Sequence, residues 1–241
     1  MTTSHKNISA ILLAAGTGER MGKIFKQFTE AAGFPVLHYS LKSVRDSTQI
    51  NRIVIVTHPD KFAKTHEIVS KYNMSTPVDI IEGGRTRRES ALRGLEHLTG
   101  TDTDMVILHD VSRPLITKEM VLAVVEEVST HKADGAVVGI PAIDLLFQTD
   151  PDGYISQAFD KNSFCYGHTP QCFPFEELLK AHHNVPKERL EDVDNVELMK
   201  RNRKDVKIRV LRDFHKNHKL TYPHDIDIIE SLLKNSDDRG V

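Results

Sequence analysis

The chain has 241 residues, of which 39% are hydrophobic and 27% are charged, a composition that can bury a core and excludes a disordered tail. Its 32 Lys and Arg residues are balanced by 34 Asp and Glu residues, and the formal net charge of −2 excludes the overall basicity of general nucleic-acid binders. Any site for an anion must therefore be local.

The cysteine content and the apolar pattern indicate the compartment. Cys165 and Cys172 form no CxxC pair, and a chain of this length does not need disulfides. No apolar stretch approaches the roughly 18 residues of a membrane span, and residues 1–7 lack the apolar run of a signal peptide. We therefore expect a reduced, cytoplasmic protein that neither enters a membrane nor is secreted through a signal peptide.

Short runs rich in Ile and Val alternate with segments of helical periodicity. Near-continuous apolar runs of this kind are typical of parallel strands that are covered on both faces. The predicted strands are residues 8–15, 53–57, 78–81, 105–108, 136–140 and 206–210. The predicted helices are residues 35–44, 61–71, 87–98, 117–131 and 223–233. This alternation predicts one α/β domain over residues 1–241, with a Rossmann-like, mostly parallel sheet flanked by helices.

The first predicted strand leads into a glycine-rich loop, AAGTGERMGK at residues 14–23. Glycine lets backbone N–H groups approach a phosphate closely, and Arg20 and Lys26 add positive charge nearby. The loop is neither a Walker loop nor a GxGxxG dinucleotide loop, because Met21 stands where each pattern requires a glycine. The sequence predicts a phosphate-binding loop of another kind, with a merely tight turn as the alternative.

One later segment interrupts the alternation. Residues 145–159 contain two strand-like arms around the turn sequence Asp-Pro-Asp-Gly at residues 150–153. We expect a β-hairpin arm over residues 141–162. Because an isolated hairpin is marginally stable in water, we expect it to pack against a second copy of the chain, or alternatively against its own domain.

Five segments in order carry a resemblance to a known family. They are LAAGTGERM at 13–21 with Lys26-Gln27, EGGRTRRES at 82–90, HDVSRP at 109–114, TPQCF at 169–173 and NHKLTYPHD at 217–225. The chain resembles the cytidylyltransferases of the 2-C-methyl-D-erythritol 4-phosphate and ribitol-5-phosphate type. The resemblance runs from about residue 8 to residue 233. It implies a nucleotide-diphospho-sugar transferase fold, Mg²⁺ as cofactor, and a homodimer in which paired arms complete each other's acceptor sites.

The resemblance also implies roles for individual residues. It implies that the catalytic residues are Arg20, Lys26, Asp110 and Lys219, with Asp110 also near the metal. It implies that the nucleotide is bound by Ala14, Ala15, Gly16, Thr17, Gly18, Gly83, Gly84, Arg87 and Ser90. It implies that the acceptor is bound by Asp144, Lys161 and Thr169.

Three of these residues also have an ordinary structural interpretation. Asp110 follows the predicted strand 105–108, at the carboxyl edge where open α/β sheets bind ligands, but an Asp at this place is also a common cap. Ser90 alone resembles any helical residue, and Lys219 lies in a basic segment that is normally solvated. We expect Arg113, in the same loop as Asp110, to fix that loop rather than to touch substrate.

The chain departs from the family pattern at several positions. Lys161 stands where the family has Arg, and Leu145 stands where it has Thr, so that a bidentate donor and a hydroxyl are lost. Phe25 replaces a proline in a loop that is one residue short, and Lys216 and Arg85 stand where acidic residues are common. The acceptor is therefore less firmly predicted than the nucleotide.

The resemblance implies transfer of CMP from CTP to a polyol phosphate, with 2-C-methyl-D-erythritol 4-phosphate as the first acceptor and ribitol 5-phosphate as the alternative. A nucleotide-binding regulator without catalysis and a dinucleotide-dependent oxidoreductase are alternatives of other classes. Of the 13 histidines, the pairs His182-His183 and His215 with His218 have no Cys or carboxylate at ligand spacing, so we expect no zinc site.

Overall fold

The structure is a computed structural model that describes residues 6–18, 21, 25–47, 49–72, 74–184, 193–212, 214 and 216–237. The strands are β1 (Ile8–Ala14), β2 (Glu30–Ala31), β3 (Phe34–Pro35), β4 (Ile50–Thr57), β5 (Val78–Glu82), β6 (Met105–Asp110), β7 (Gly135–Pro141), β8 (Leu146–Thr149), β9 (Ile155–Phe159), β10 (Cys165–Pro174) and β11 (Ile208–Leu211). The helices are α1 (Val36–Arg45), α2 (Phe62–Ser70), α3 (Arg87–His97), α4 (Lys118–Ser129), α5 (Phe175–His183), α6 (Asn195–Asn202) and α7 (Asp225–Asp237).

Within these residues, seven strands form the central sheet in the spatial order β11-β7-β10-β6-β1-β4-β5. Its neighbouring strands are parallel, except that β10 runs antiparallel to both β6 and β7. The predicted α/β fold with a mostly parallel sheet is therefore confirmed. The sequence does not predict β10, because residues 165–174 mix glycine, proline and polar residues instead of forming an apolar run.

Helices cover both faces of the sheet because alternate residues of a strand point to opposite faces. On one face, Leu12 of β1 packs with Leu37 of α1 and Val121 of α4. On the other face, Ile11 packs with Leu95 of α3. None of these side chains has exposed surface, and each contributes roughly 1.5–3 kcal/mol by its burial. The sheet is therefore a rigid support for the loops at its edges.

The predicted strands and helices occur with their bounds shifted by a few residues. One shift concerns function, because β6 continues beyond residue 108. Asp110 is consequently the last residue of the strand, whereas the prediction placed it two residues beyond the strand. The sequence analysis also does not predict α5 and α6, which pack against each other on the face that α3 covers.

The arm predicted around residues 150–153 is an antiparallel hairpin of β8 and β9. Asp150 forms the turn, since its Oδ1 accepts hydrogen bonds from the backbone N–H groups of Asp152 and Tyr154, and Gly153 adopts a φ of +90°. Large apolar side chains in and beside the arm are exposed: Ile143, Leu145, Phe147, Tyr154, Ile155, Phe164 and Tyr166. No helix in the described residues has the length and apolarity that crossing a membrane requires.

Candidate active site

A large cavity opens at the carboxyl edge of the sheet, where β1, β5 and β6 end. Its volume is about 920 Å³. The predicted site residues that line it are Ala14, Ala15, Gly16, Thr17, Gly18, Lys26, Gly83, Gly84, Arg87, Ser90, Asp110 and Lys219. Arg20 lies outside the described residues. The structure thus brings the predicted nucleotide residues together with three of the four predicted catalytic residues.

Small residues pack closely along one wall of this cavity. A Cβ atom on Gly83 would lie 2.3 Å from Cβ of Ala15 and 3.0 Å from Oγ of Ser90, so that alanine does not fit there without displacing the wall. Ser90 holds the turn, because its Oγ accepts a hydrogen bond from the Gly84 N–H at 3.1 Å and donates one to the Thr86 carbonyl at 3.0 Å. The wall therefore leaves main-chain groups accessible to a ligand at close range.

The loop after β1 faces this wall. Gly18 adopts a φ of +67°, in the left-handed region that glycine favours. The Gln27 side chain is buried and donates a hydrogen bond to the Ala14 carbonyl, which fixes the chain on the far side of the loop. Lys26 lines the cavity, and its Nζ donates a hydrogen bond to the Thr221 carbonyl at 3.1 Å. Lys26 consequently connects the first loop of the sheet with the last one.

Asp110 is the buried carboxylate of the cavity, with 8% of its surface exposed. Its Oδ1 accepts a hydrogen bond from Nε of Arg87 at 2.8 Å, and its Oδ2 accepts one from Nζ of Lys219 at 3.1 Å. Burial alone raises the pKa of the Asp110 carboxyl, but the charges of Arg87 and Lys219 and their hydrogen bonds outweigh this and hold the pKa well below its usual range. The carboxylate is therefore ionised at any pH near neutrality.

Thr169 and His109 form a hydrogen-bonded group behind the backbone of Asp110. The Thr169 Oγ1 accepts a hydrogen bond from the Asp110 N–H at 3.1 Å and is also hydrogen-bonded to Nδ1 of His109 at 3.1 Å. Burial is the main cause that lowers the pKa of His109 to about 3, so this imidazole is neutral. Thr169 is 3% exposed. In this structure its hydroxyl positions Asp110, and its predicted contact with the acceptor stays a prediction.

The other two predicted acceptor residues lie away from the cavity. Asp144 is exposed beside the hairpin, and the Lys161 Nζ donates a hydrogen bond to the Ile143 carbonyl at 2.7 Å. Neither residue lines the large cavity. Within one chain, the structure does not bring Asp144 and Lys161 to Lys219.

A second cavity, of about 480 Å³, lies on the other side of Lys219. Arg113, Lys216 and Lys219 line it together with His168, His218 and Asp225, so that three cations and one carboxylate border it. Burial, followed by the charges of Arg113, Lys219 and His218, lowers the pKa of His168 to about 4. Of the residues that line this second cavity, the sequence analysis assigned only Lys219 to the site. The one signal that could have found it is the density of basic residues between 209 and 219.

Arg113 fixes the loop between these two cavities, and its predicted lack of contact with substrate stays a prediction. Its NH1 donates a hydrogen bond to the Asn217 carbonyl at 2.8 Å, and the Asn217 amide donates one to the Thr169 carbonyl at 2.6 Å. The Leu220 N–H donates to the Ser112 carbonyl at 2.7 Å. These bonds hold the backbone on both sides of Lys219 against the loop after β6 and the middle of β10.

The donor atoms around Asp110 decide which metal could bind. In the described part of the chain, no group of three or more His, Cys, Asp or Glu side chains is close enough to hold a metal ion. Asp110 and Glu82 are the carboxylates among the described residues of the large cavity. Mg²⁺ commonly uses one carboxylate together with substrate phosphates and waters, so the residues of this cavity fit a Mg²⁺ that arrives with a polyphosphate.

The family profile and the related sequences that match this chain carry the same name. Residues 8–235 match the profile of 2-C-methyl-D-erythritol 4-phosphate cytidylyltransferase. The enzyme of that name from Caldanaerobacter subterraneus is 32% identical over 230 residues, which are 95% of this chain and 99% of that protein. The enzyme of the same name from Clostridium novyi is 30% identical over 228 residues, which are 94% of this chain and 96% of that protein.

Solved structures resemble the fold over nearly the whole chain. The 4-diphosphocytidyl-2C-methyl-D-erythritol synthase from Anaerococcus prevotii superposes with a TM-score of 0.84 at 25% identity, covering 96% of this chain and 100% of that one. The 2-C-methyl-D-erythritol 4-phosphate cytidylyltransferase from Thermus thermophilus gives a TM-score of 0.72 at 24% identity, covering 95% of this chain and 99% of that one. At that identity the second comparison shows the fold alone.

Proposed function

The chain belongs to the 2-C-methyl-D-erythritol 4-phosphate cytidylyltransferase family, and from this premise we propose that it transfers CMP from CTP to 2-C-methyl-D-erythritol 4-phosphate. The products are pyrophosphate and CDP-methylerythritol, an isoprenoid precursor. The observation that carries the proposal is the meeting of Lys26, Asp110 and Lys219 with a wall of small residues in one cavity. Fold alone does not carry it, because one fold supports many activities.

The reaction needs positioning and charge more than an enzyme nucleophile. A phosphate oxygen of the acceptor forms a bond to the α-phosphorus of CTP, and the bond from that phosphorus to the β-phosphate oxygen breaks. The charge that develops on the α-phosphate and on the leaving pyrophosphate must be stabilised. Lys26 and Lys219 are two cations on this cavity, and Arg20 is proposed as a third from its place in the sequence.

The wall of small residues supports recognition of the cytosine and ribose. Gly83 and Ala15 allow a flat base to approach main-chain N–H and C=O groups, and these groups distinguish one base edge from another. Ser90 contributes by holding the turn in this shape. The cation Arg87 also lines this part of the cavity, although its guanidinium contacts Asp110.

We include Mg²⁺ in the proposal, held by Asp110 and the triphosphate. A bound Mg²⁺ would neutralise phosphate charge and withdraw electron density from the α-phosphorus. Lys219 donates a hydrogen bond to Oδ2 of Asp110, so the carboxylate that would hold Mg²⁺ lies directly beside a cation of the proposed phosphate site.

The second cavity supports a binding position for the phosphate of the acceptor. Lys219 lines both cavities, so that an acceptor phosphate beside Arg113 lies next to the triphosphate. Asp144 and Lys161 do not reach this place within one chain, and we propose that the arm of a second copy brings them there. The exposed apolar side chains of the arm support a homodimer of this kind. The free cysteines Cys165 and Cys172 support a reducing, cytoplasmic location.

The test is a panel of acceptors and nucleotides with pyrophosphate release as the readout. CTP with 2-C-methyl-D-erythritol 4-phosphate should give pyrophosphate, whereas either substrate alone, or UTP or ATP in place of CTP, should give little. The panel also contains ribitol 5-phosphate and other sugar-alcohol phosphates.

The outcomes separate the alternatives. Preference for ribitol 5-phosphate would keep the cytidylyl transfer but change the acceptor, in line with the substitutions at Leu145 and Lys161. Absence of pyrophosphate with every acceptor would contradict the proposed enzymatic activity. If the wild-type chain then still binds CTP and Lys26→Ala does not, the chain is a nucleotide-binding regulator.

A further inference from the structure

A continuous series of polar side chains leads from Asp110 into the start of α6. Arg87 donates to Asp110 through Nε, and its NH1 lies 3.7 Å from Oδ2 of Asp194. Asp194 is the residue before α6, and its Oδ1 accepts a hydrogen bond from the Val196 N–H at 2.8 Å. Arg87 is thus placed between two carboxylates, one inside the large cavity and one outside its lining.

Gln171 of β10 holds Asp194 in this place. Its Nε2 donates hydrogen bonds to both carboxylate oxygens of Asp194, at 3.3 Å and 3.1 Å, and its Oε1 accepts one from the Asn195 amide at 2.8 Å. Asn195 is in turn hydrogen-bonded to Nε2 of His182 at 3.0 Å. Gln171, Asn195 and His182 are each at most 3% exposed. Buried polar side chains that are hydrogen-bonded to one another in this way favour one arrangement.

We propose that Asp194 is a positioning residue for cytidylyl transfer, which acts by holding the Arg87 guanidinium in the orientation that leaves Asp110 correctly placed for the triphosphate. The proposal rests on the proposed function. It extends the active site to α6, a helix that contributes no residue to the lining of the large cavity.

The charges of the group explain why Asp194 is needed. Arg87 and Lys219 are two cations, and Asp110 and Asp194 are two anions, so the four side chains together are neutral. Arg87 lines the cavity, and its guanidinium has two alternative partners when the contact with Asp194 is lost. It can turn both of its donor faces to Asp110, or it can turn towards the triphosphate. Either movement displaces Asp110 without removing positive charge from the nucleotide site.

Two substitutions separate this role from the structural role of Asp194 as a helix cap. Asp194→Asn removes the charge but keeps a good cap for α6, since Asn and Asp are equally favoured there. Asp194→Glu keeps the charge but is a poor cap. Asp134→Asn is the matched control, because Asp134 pairs with Arg203 at 2.6 Å and accepts the Lys207 N–H at 2.7 Å at the opposite edge of the sheet.

In steady-state kinetics with CTP and 2-C-methyl-D-erythritol 4-phosphate, we expect kcat of Asp194→Asn to fall about fivefold, the effect of losing one half-exposed ion pair. The KM for CTP should not rise, and the melting temperature should stay close to that of the wild type. Asp194→Glu should melt at a lower temperature but regain most of kcat in its folded fraction. Asp134→Asn should keep its kcat.

The proposal is overturned if Asp194→Asn retains kcat within a factor of two, or if it raises the KM for CTP and leaves kcat unchanged. It is also overturned if Asp134→Asn loses kcat by the same factor, because the loss would then be a general effect of removing a charge. A wild-type chain without turnover would contradict the proposed function, and the positioning role with it. An active wild type with a fully active Asp194→Asn contradicts the positioning role alone.

Discussion

The ammonium group of Lys219 donates a hydrogen bond to Oδ2 of Asp110 across 3.1 Å, although the two residues are 109 positions apart in the chain. The contact joins the end of β6 to the loop before α7, at the place where the two cavities meet. Neither group is an isolated buried charge, because each has an opposite charge at hydrogen-bonding distance.

Replacing Lys219 with Ala should therefore remove a cation from the phosphates and also release Asp110. We expect kcat to fall by about 10²-fold or more, as when one donor to a developing negative charge is lost. Pyrophosphate release under saturating CTP measures the effect. Lys180→Ala, at an exposed position of α5, is the control and should remain fully active. A Lys219→Ala variant with wild-type kcat would contradict the proposed phosphate contact.

Gly83→Ala should weaken CTP binding, because the new methyl group would displace Ala15 from the cavity wall. We expect the KM for CTP to rise about tenfold, with a smaller change in the KM of the acceptor. Gly94→Ala is the matched control, since its Cβ would lie 2.8 Å from Cγ2 of Ile11 in the core between α3 and the sheet. That variant should lose stability but keep the KM for CTP in its folded fraction, and equal KM values for both variants would contradict the proposal.

His182 should make folding stability dependent on pH. Burial is the main cause that lowers its pKa to about 4, whereas the ordinary value of 6.5 applies in the unfolded chain. The unfolded state consequently binds more protons between these values, and the free energy of unfolding falls as the pH is lowered from 6.5 towards 4. We expect this histidine to account for about 2 kcal/mol of the loss between pH 7 and pH 5. Urea unfolding of the wild type and of His182→Gln measures it, and equal pH slopes would show that the imidazole stays accessible to protons.

The hairpin should hold two copies of the chain together. Leu145 and Ile155 are 69% and 60% exposed, so that replacing both with Asp alters little within one chain. We expect analytical ultracentrifugation to give the mass of a dimer for the wild type and of a monomer for the double variant. Phe34→Asp, at another exposed apolar position, should leave the mass unchanged. If a chain that lacks residues 145–159 keeps the dimer mass, the arm is not the contact.

The sequence predicts the parts of this molecule that local patterns determine. Apolar runs such as residues 8–15 and 105–108 identify strands, because a strand buried on both faces must be apolar throughout. The glycine-rich segments 14–18 and 83–84 are also visible in the sequence, since only residues without a large side chain allow such close backbone approach. The family resemblance adds Lys219, which composition alone would leave on the surface.

The contacts between distant segments are not visible in the same way. The partners of Arg87 are Asp110 and Asp194, and nothing in local periodicity indicates that the chain brings either carboxylate to α3. Residues 165–174 form β10 because neighbouring strands on both sides hydrogen-bond to it, not because their composition favours a strand. His168, on the same strand, enters the second cavity for the same reason.

The position of β10 bears on how the chain emerges from the ribosome. β6 and β7 follow one another in the sequence, yet β10 lies between them and hydrogen-bonds to both. A nascent polypeptide that has been translated only to residue 164 therefore carries two apolar strands with open edges that no later segment yet covers. Such edges pair readily with other chains. During translation, these two edges consequently stay open until residues 165–174 have emerged.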